Sequence, residues 1–156
     1  RQAVSLKSLD IALELESLAD SGFSGYFVAT VQGVDGMDEA LLLFSDGVLV
    51  GSAYSFCKYD FELKGSEALE PCFNGLAAAH GVVDINALSH QQVELVLAFN
   101  DKVKLSSPIQ KRQFRGLLKQ SFDETASIRM LSKVRRSEES RVDLFKRFGL
   151  GGLEGV

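Results

Sequence analysis

The stretch Glu39 to Tyr54, EALLLFSDGVLVGSAY, decides the fold. Its centre, Ser45-Asp46-Gly47, separates two apolar runs. An Asp-Gly pair placed there calls for a tight hairpin, because glycine accepts the positive φ that a type I′ turn demands. Glu39 to Phe44 is then one strand and Val48 to Tyr54 its antiparallel return. Upstream, Gly25 to Val31 is rich in aromatic and β-branched residues and reads as another strand. The polar turn Val34-Asp35-Gly36-Met37-Asp38 joins it to the hairpin. Three strands in a meander result, and Val82 to Ile85 adds a short fourth.

Helical periods flank these strands. Residues 8–20 carry an apolar face that includes Leu9, Ala12 and Leu13, with Ser8 as the expected N-cap and Gly22 as the stop. Residues 66–79 place Ala68, Leu69, Phe73, Leu76 and Ala77 on one face. Pro71 lacks an amide donor, so it implies a kink there or a start close to Glu70. Tyr54 to Leu63 is ambiguous between a prolonged strand and a loop over the sheet. Leu88 to Val93 is a well-formed helix start: Ser89 can cap the amide of Gln92, the Gln92 side chain can reach back, and Leu88 and Val93 take the staple positions. That helix runs to Phe99, and Asn100 ends it. Lys102 to Ser107 reads as a polar connection, with Pro108 at the first position of a further helix capped by Ser107. Two more helical stretches follow, over 125–135 and from Ser137 to Phe148.

The expected fold class is α+β: an antiparallel meander sheet of about four strands packed with helices, followed by a helical C-terminal tail. The expected domains are an acidic α/β body over residues 1–105 and a basic helical extension over residues 106–156.

That division rests on charge. Residues 1–100 hold four bases against fourteen acids, a net of −10, while residues 101–156 hold thirteen bases against seven acids, a net of +6. Opposed halves permit two readings. The tail can seek an external polyanion such as nucleic acid, through Arg112, Arg115, Lys119, Arg129, Lys133, Arg135, Arg136, Arg141, Lys146 and Arg147. Or it can lie against an acidic protein surface, its own or a partner's. Its bases share their helices with apolar stripes, so docking on protein comes first.

No residue pattern announces a reaction. Cys57 and Cys72, fifteen positions apart, have neither zinc nor disulfide-framework spacing, and read as reduced, largely buried thiols in a cytosolic protein, with a disulfide joining the two as the minor alternative. His80 and His90 have no neighbouring Cys, Asp or Glu at metal-ligand spacing, so neither a metal nor a cofactor is expected. Gly22 to Gly25 and Gly33 to Gly36 lack the strand–loop–helix order and the lysine of a phosphate-binding loop. Ser24 lacks the spacing of a nucleophile elbow. Asp35, Asp38 and Glu39 lack the spacing of a calcium loop and read as a solvated hairpin tip. Tyr54, Phe56, Tyr59 and Phe61 could stack bases, but such residues more often make core. The longest apolar runs, such as Ala40 to Phe44, are too short to cross a membrane. No secretory pattern opens the sequence, which starts at Arg1 rather than at a methionine; a cytoplasmic location is the expectation.

One ordered set of motifs remains. A leading helix is followed by Gly22-Phe23-Ser24-Gly25-Tyr26 and by a meander closing on Phe44-Ser45-Asp46-Gly47. Gly65-Ser66-Glu67-Ala68-Leu69 then opens a helix, and Gly81 to Ile85 and Leu88 to Asn100 complete the order. This resembles an uncharacterised family of archaeal proteins of unknown function, over about residues 5–105, and Gly25, Asp46, Gly47, Gly65 and Ala68 match its pattern. It is more distantly similar to the PATAN-type domains found beside bacterial response-regulator receivers, a resemblance that implies protein interaction and regulation. The segment 54–64 and Pro71 depart from a short-loop version of the pattern. Ser140 to Leu150 looks like a short helix recurrent in archaeal proteins. The resemblance supplies no catalytic residue.

The function expected is therefore a non-catalytic protein-interaction or regulatory module with a protein partner. Nucleic-acid binding by the basic tail is the alternative, and an enzyme with an unrecognised site ranks last. A homodimer formed by exchange of the helical tail is the oligomeric state the sequence suggests.

Overall fold

The computed structural model describes residues 1–149. The chain runs through strand β1 (Val4–Ser5), helix α1 (Ile11–Asp20), strands β2 (Gly25–Gly33), β3 (Gly36–Ser45), β4 (Val48–Phe56) and β5 (Phe61–Lys64), and helix α2 (Ser66–Gly75). Strand β6 (Gly81–Ala87), helix α3 (His90–Phe99), strand β7 (Lys104–Ile109) and helices α4 (Phe114–Leu117) and α5 (Glu124–Arg147) follow. The hairpin between β3 and β4 forms as its composition dictates: Asp46 and Gly47 have φ of 48° and 80°, the two positive values of a type I′ turn. A side chain at Gly47 would also stand 2.3 Å from the carbonyl oxygen of Ala19, so the turn is pressed against the end of α1.

The strands make one antiparallel sheet in the order β1-β6-β2-β3-β4-β5, with β7 also pairing with β4. The meander is as expected, but the sheet has seven strands, not four. The three additions are short or broken. β1 has two residues, and β5 has four, whose alternation Phe61-Glu62-Leu63-Lys64 is only two repeats long. β7 contains Pro108, which suits a helix start and an edge strand alike. Here it lies on the edge, so the helix expected at Ser107 is a strand instead. The ambiguous segment resolves into the end of β4, a 3-10 turn over Cys57–Tyr59, and β5 after a left-handed Asp60.

Helix boundaries show the same competition between local signals. The hydroxyl of Ser8 donates to the carbonyl of Ser5, and Asp10 caps α1 instead by accepting from the amide of Leu13 at 3.1 Å. Pro71 lies inside α2, which starts at Ser66 and stops at Gly75. The two helical stretches read over 125–148 are one continuous α5 of 24 residues.

Alternation along the strands sorts the sheet into two faces. One carries Phe27, Ala29, Val31, Leu42, Phe44 and Tyr54, all buried. α2 packs here: a side chain at Gly75 would meet the Tyr54 ring at 3.0 Å and Val31 at 3.7 Å. Phe44 is flanked edge-on by Phe23 and Phe114, with ring centroids 6.0 and 6.1 Å away. The other face carries Tyr26, Leu41, Leu43 and Ala53, of which Tyr26 and Leu41 are only partly covered.

The chain divides into two compact units, Arg1–Asp123 and the residues from Glu124 on. β7 spans positions 105 and 106, so the sheet unit continues beyond the point where the charge changes sign. Its last residue is tied down by the buried Asn74 of α2. The Asn74 amide donates to the Asp123 carbonyl at 3.1 Å, and its oxygen accepts from the Asp123 amide at 2.7 Å.

Candidate interaction surface

The less covered face of the sheet is overlaid by α3. Its start is fixed by the capping box read in the sequence, with Ser89 and Gln92 each bonding the other's amide at 3.1 and 2.8 Å. Val93 inserts fully into the protein. Val96, which faces the cavity, is 36% exposed, and Leu95 and Phe99, about 160° and 120° around the helix from Val93, are 57% and 85% exposed on its outer side. Beside the helix a cavity of about 430 Å³ opens onto the sheet. Tyr26, Leu41, Leu43 and Ala53 form its sheet lining, and Leu88 and Val96 line it from the α3 side. Glu62 and Lys64 stand at the edge contributed by β5, joined in an ion pair at 3.1 Å.

Glu62 also belongs to an adjoining cleft of about 400 Å³, which it shares with Glu39, Ser55 and Asp60. An apolar groove therefore passes into an acidic end, and its one lysine is already engaged by Glu62. The meander and the α3 cap were legible in the sequence. The groove was not, because it depends on β5 and on how little of the face a ten-residue helix covers.

The basic residues singled out in the sequence fall in two places. Arg112, Arg115 and Lys119 belong to the end of the sheet unit and are exposed. Arg115 forms a double hydrogen bond with Glu16 of α1, at 2.6 and 2.9 Å, and this partner raises its already high pKa. Lys111, on the same basic stretch, bonds Asp20 of α1 at 2.6 Å. Part of the basic stretch thus meets the acidic body directly. Arg129, Lys133, Arg135, Arg136, Arg141, Lys146 and Arg147 all lie on α5 and are exposed.

His90 has company that spacing did not reveal. Ser45 Oγ and Asp46 Oδ2 both approach its Nδ1, at 3.1 and 3.0 Å, and Glu94 stands 3.9 Å from Nε2. A Ser-His-Asp relay needs serine and carboxylate on opposite ring nitrogens. Here both address one nitrogen on an open surface, and the cluster ties the hairpin turn to the start of α3. Among the described residues no group of three or more His, Cys, Asp or Glu side chains could hold a metal ion.

Two further features correct the sequence reading. Asp38 is not a solvated tip residue: it is buried and accepts from the Tyr54 hydroxyl at 2.7 Å. Burial is the main cause that raises its carboxyl pKa; the bond from Tyr54 acts against this and nearby Asp35 adds to it. Both cysteines are free, but only Cys72 is buried, its thiol pushed up to about 12 by burial. Cys57 is exposed on its 3-10 turn.

Fold and surface together define a small α+β protein whose antiparallel sheet is sealed on one face and left with an apolar, acid-ended groove on the other. A family described as "uncharacterized protein conserved in archaea" (DUF2226) matches residues 2–100, and the chain belongs to it. The match spans β1 through α3, the elements that build most of the groove. No curated protein and no solved structure matches the chain. Among the described residues no helix is long and apolar enough to cross a membrane.

Proposed function

We propose that this protein is a non-catalytic interaction module that docks a basic, amphipathic helical segment of a protein partner in the groove beside α3. The observation that carries this reading is an apolar groove, lined by the partly covered Tyr26 and Leu41 and by Val96, 36% exposed, whose far end is acidic. Water gains by the covering of such a patch, at roughly 25 cal/mol per Å² of apolar surface. The acids at one end then select a partner with bases beside its apolar stripe, since opposite potentials fix register and exclude like-charged competitors. Helix-in-groove recognition combines these two elements.

Two labelled synthetic peptides test it, one with leucines at helical spacing among lysines and the other with the lysines replaced by glutamates. Titrated with the full chain, the basic peptide binds and the acidic one does not. Val96→Asp and Glu62→Lys each weaken the basic peptide roughly tenfold, as expected for a groove contact and a rim charge. Equal binding of both peptides, or indifference to both substitutions, would remove the reading.

A second reading has its own observation. At 100° per residue, Arg129, Lys133, Arg136 and Arg147 fall within an arc of about 60° on α5, and all four are exposed. We keep nucleic-acid binding by this stripe as the alternative. It requires affinity for duplex DNA or RNA that falls as a power of salt concentration. Removing three of these bases would lower that slope by about 0.9 per lost phosphate contact.

A further inference from the structure

We infer that the groove is filled by the far end of α5 from a second copy of this chain; this rests on the reading of the groove as a helix-docking site. The chain itself carries the complementary half. Leu144 and Phe148, 52% and 69% exposed, are one helical turn apart, and the turn continues through Phe148, whose amide donates to the Leu144 carbonyl at 3.1 Å. Arg141 lies three positions before Leu144 and seven before Phe148, which places all three on one helical stripe. Arg147 stands beside it, three positions after Leu144. An exposed apolar pair flanked by arginines therefore belongs to the same molecule as an exposed apolar groove ending in Glu39, Asp60 and Glu62.

Two complementary surfaces on one chain can assemble in two ways. Head-to-tail docking leaves a free groove and a free helix end at every step and grows without limit, whereas reciprocal exchange satisfies both pairs and closes as a two-fold dimer. Exchange also doubles the buried surface for one loss of rotational and translational freedom, which a single short helix contact struggles to offset. A 24-residue helix spans about 36 Å, enough to carry its last turn well away from its first.

Light scattering and sedimentation of the full chain test this. A dimer is expected at about 10–100 μM. Arg141→Glu with Arg147→Glu, on the helix end, raises its dissociation constant at least roughly tenfold, as does Glu39→Lys with Glu62→Lys in the groove. Combining the two pairs restores the dimer, because the charges are exchanged rather than lost. Leu144→Asp with Phe148→Asp gives a monomer that no groove charge rescues. A wild-type chain that stays monomeric overturns the proposal, as do a dimer indifferent to both charge pairs and growth beyond the dimer. If the chain is monomeric while the basic peptide still binds and responds to Val96→Asp, only the identity of the occupant fails. If that peptide ignores Val96→Asp, the groove itself is at fault.

Discussion

At the scale of single residues, the informative group is Asp38. Its position on the sealed face follows from strict alternation with Ala40, Leu42 and Phe44 along β3. A charged side chain there was invisible in the sequence, where Val34 to Asp38 reads as one polar turn. The tight β2–β3 hairpin uses only Val34 and Asp35 as its loop, so Asp38 is already three residues into the sheet. The Tyr54 hydroxyl is the hydrogen-bond donor to it at 2.7 Å. Tyr54→Phe leaves that buried carboxylate without its donor, which should cost about 2 kcal/mol. In a chain of this size the melting temperature then drops by about 4–8 °C, readable by calorimetry at neutral pH. The carboxyl pKa is raised in the folded state, so the folded protein holds the proton more tightly than the unfolded chain. Stability must therefore fall as pH rises from the ordinary carboxyl range through the folded-state value, and the full cost is present above it. Asp38→Asn escapes that cost and keeps an oxygen for Tyr54. Denaturation at several pH values should show the difference between Asn and wild type moving in favour of Asn with rising pH and levelling off. A difference independent of pH would mean that Asp38 titrates alike in both states.

At the scale of elements, legibility followed the length and regularity of the local signal. β2, β3, β4 and α3 were readable because each carries a turn or cap of specific chemistry next to an unbroken period. Asp46-Gly47 names its own turn type, and Ser89 with Gln92 names its own cap. β5 offers only two repeats of its alternation, and β7 differs from the expected helix because Pro108 serves an edge strand as well as a helix start. The division of 125–148 into two helices failed for a related reason. Ser137-Glu138-Glu139 resembles a helix start, but serine is tolerated inside a helix when its neighbours continue the bond ladder. The cap of α3 is where element and surface meet, because α3 forms one wall of the groove. Ser89→Ala removes the bond to the Gln92 amide and should cost about 1 kcal/mol. Since the groove needs Leu88 and Val96 held in place, the same substitution should weaken binding of the basic peptide more than Ser8→Ala does. Ser8 caps no helix, and it provides the control for a hydroxyl lost elsewhere.

At the scale of the whole molecule, the charge asymmetry seen in the sequence has three separate fates. Lys111 and Arg115 are answered by Asp20 and Glu16 within the sheet unit. Arg129, Lys133 and Arg136 form, together with Arg147, an exposed stripe on α5. Arg141 and Arg147 flank the exposed Leu144 and Phe148. The net charge of −4 conceals all three, and so does any count over halves of the chain. They respond differently to salt. Screening shortens the reach of a surface charge from about 10 Å at 0.1 M to about 3 Å at 1 M. The dimer proposed above rests on apolar contacts with charges around them. Its dissociation constant should rise by a few-fold, roughly threefold to tenfold, over that range and then level off, because the apolar part remains. Counterion release from a nucleic acid obeys a different law, a straight line in log–log form with a slope of about −0.9 per phosphate neutralised. With four bases engaged, that line loses more than three decades of affinity between 0.1 and 1 M and shows no plateau. Sedimentation and anisotropy titrations over one salt series therefore separate the two roles. A plateau in self-association, with nucleic-acid binding absent at low salt, assigns the bases of α5 to protein docking; a dimer that weakens along a line of that slope would deny the apolar groove its part.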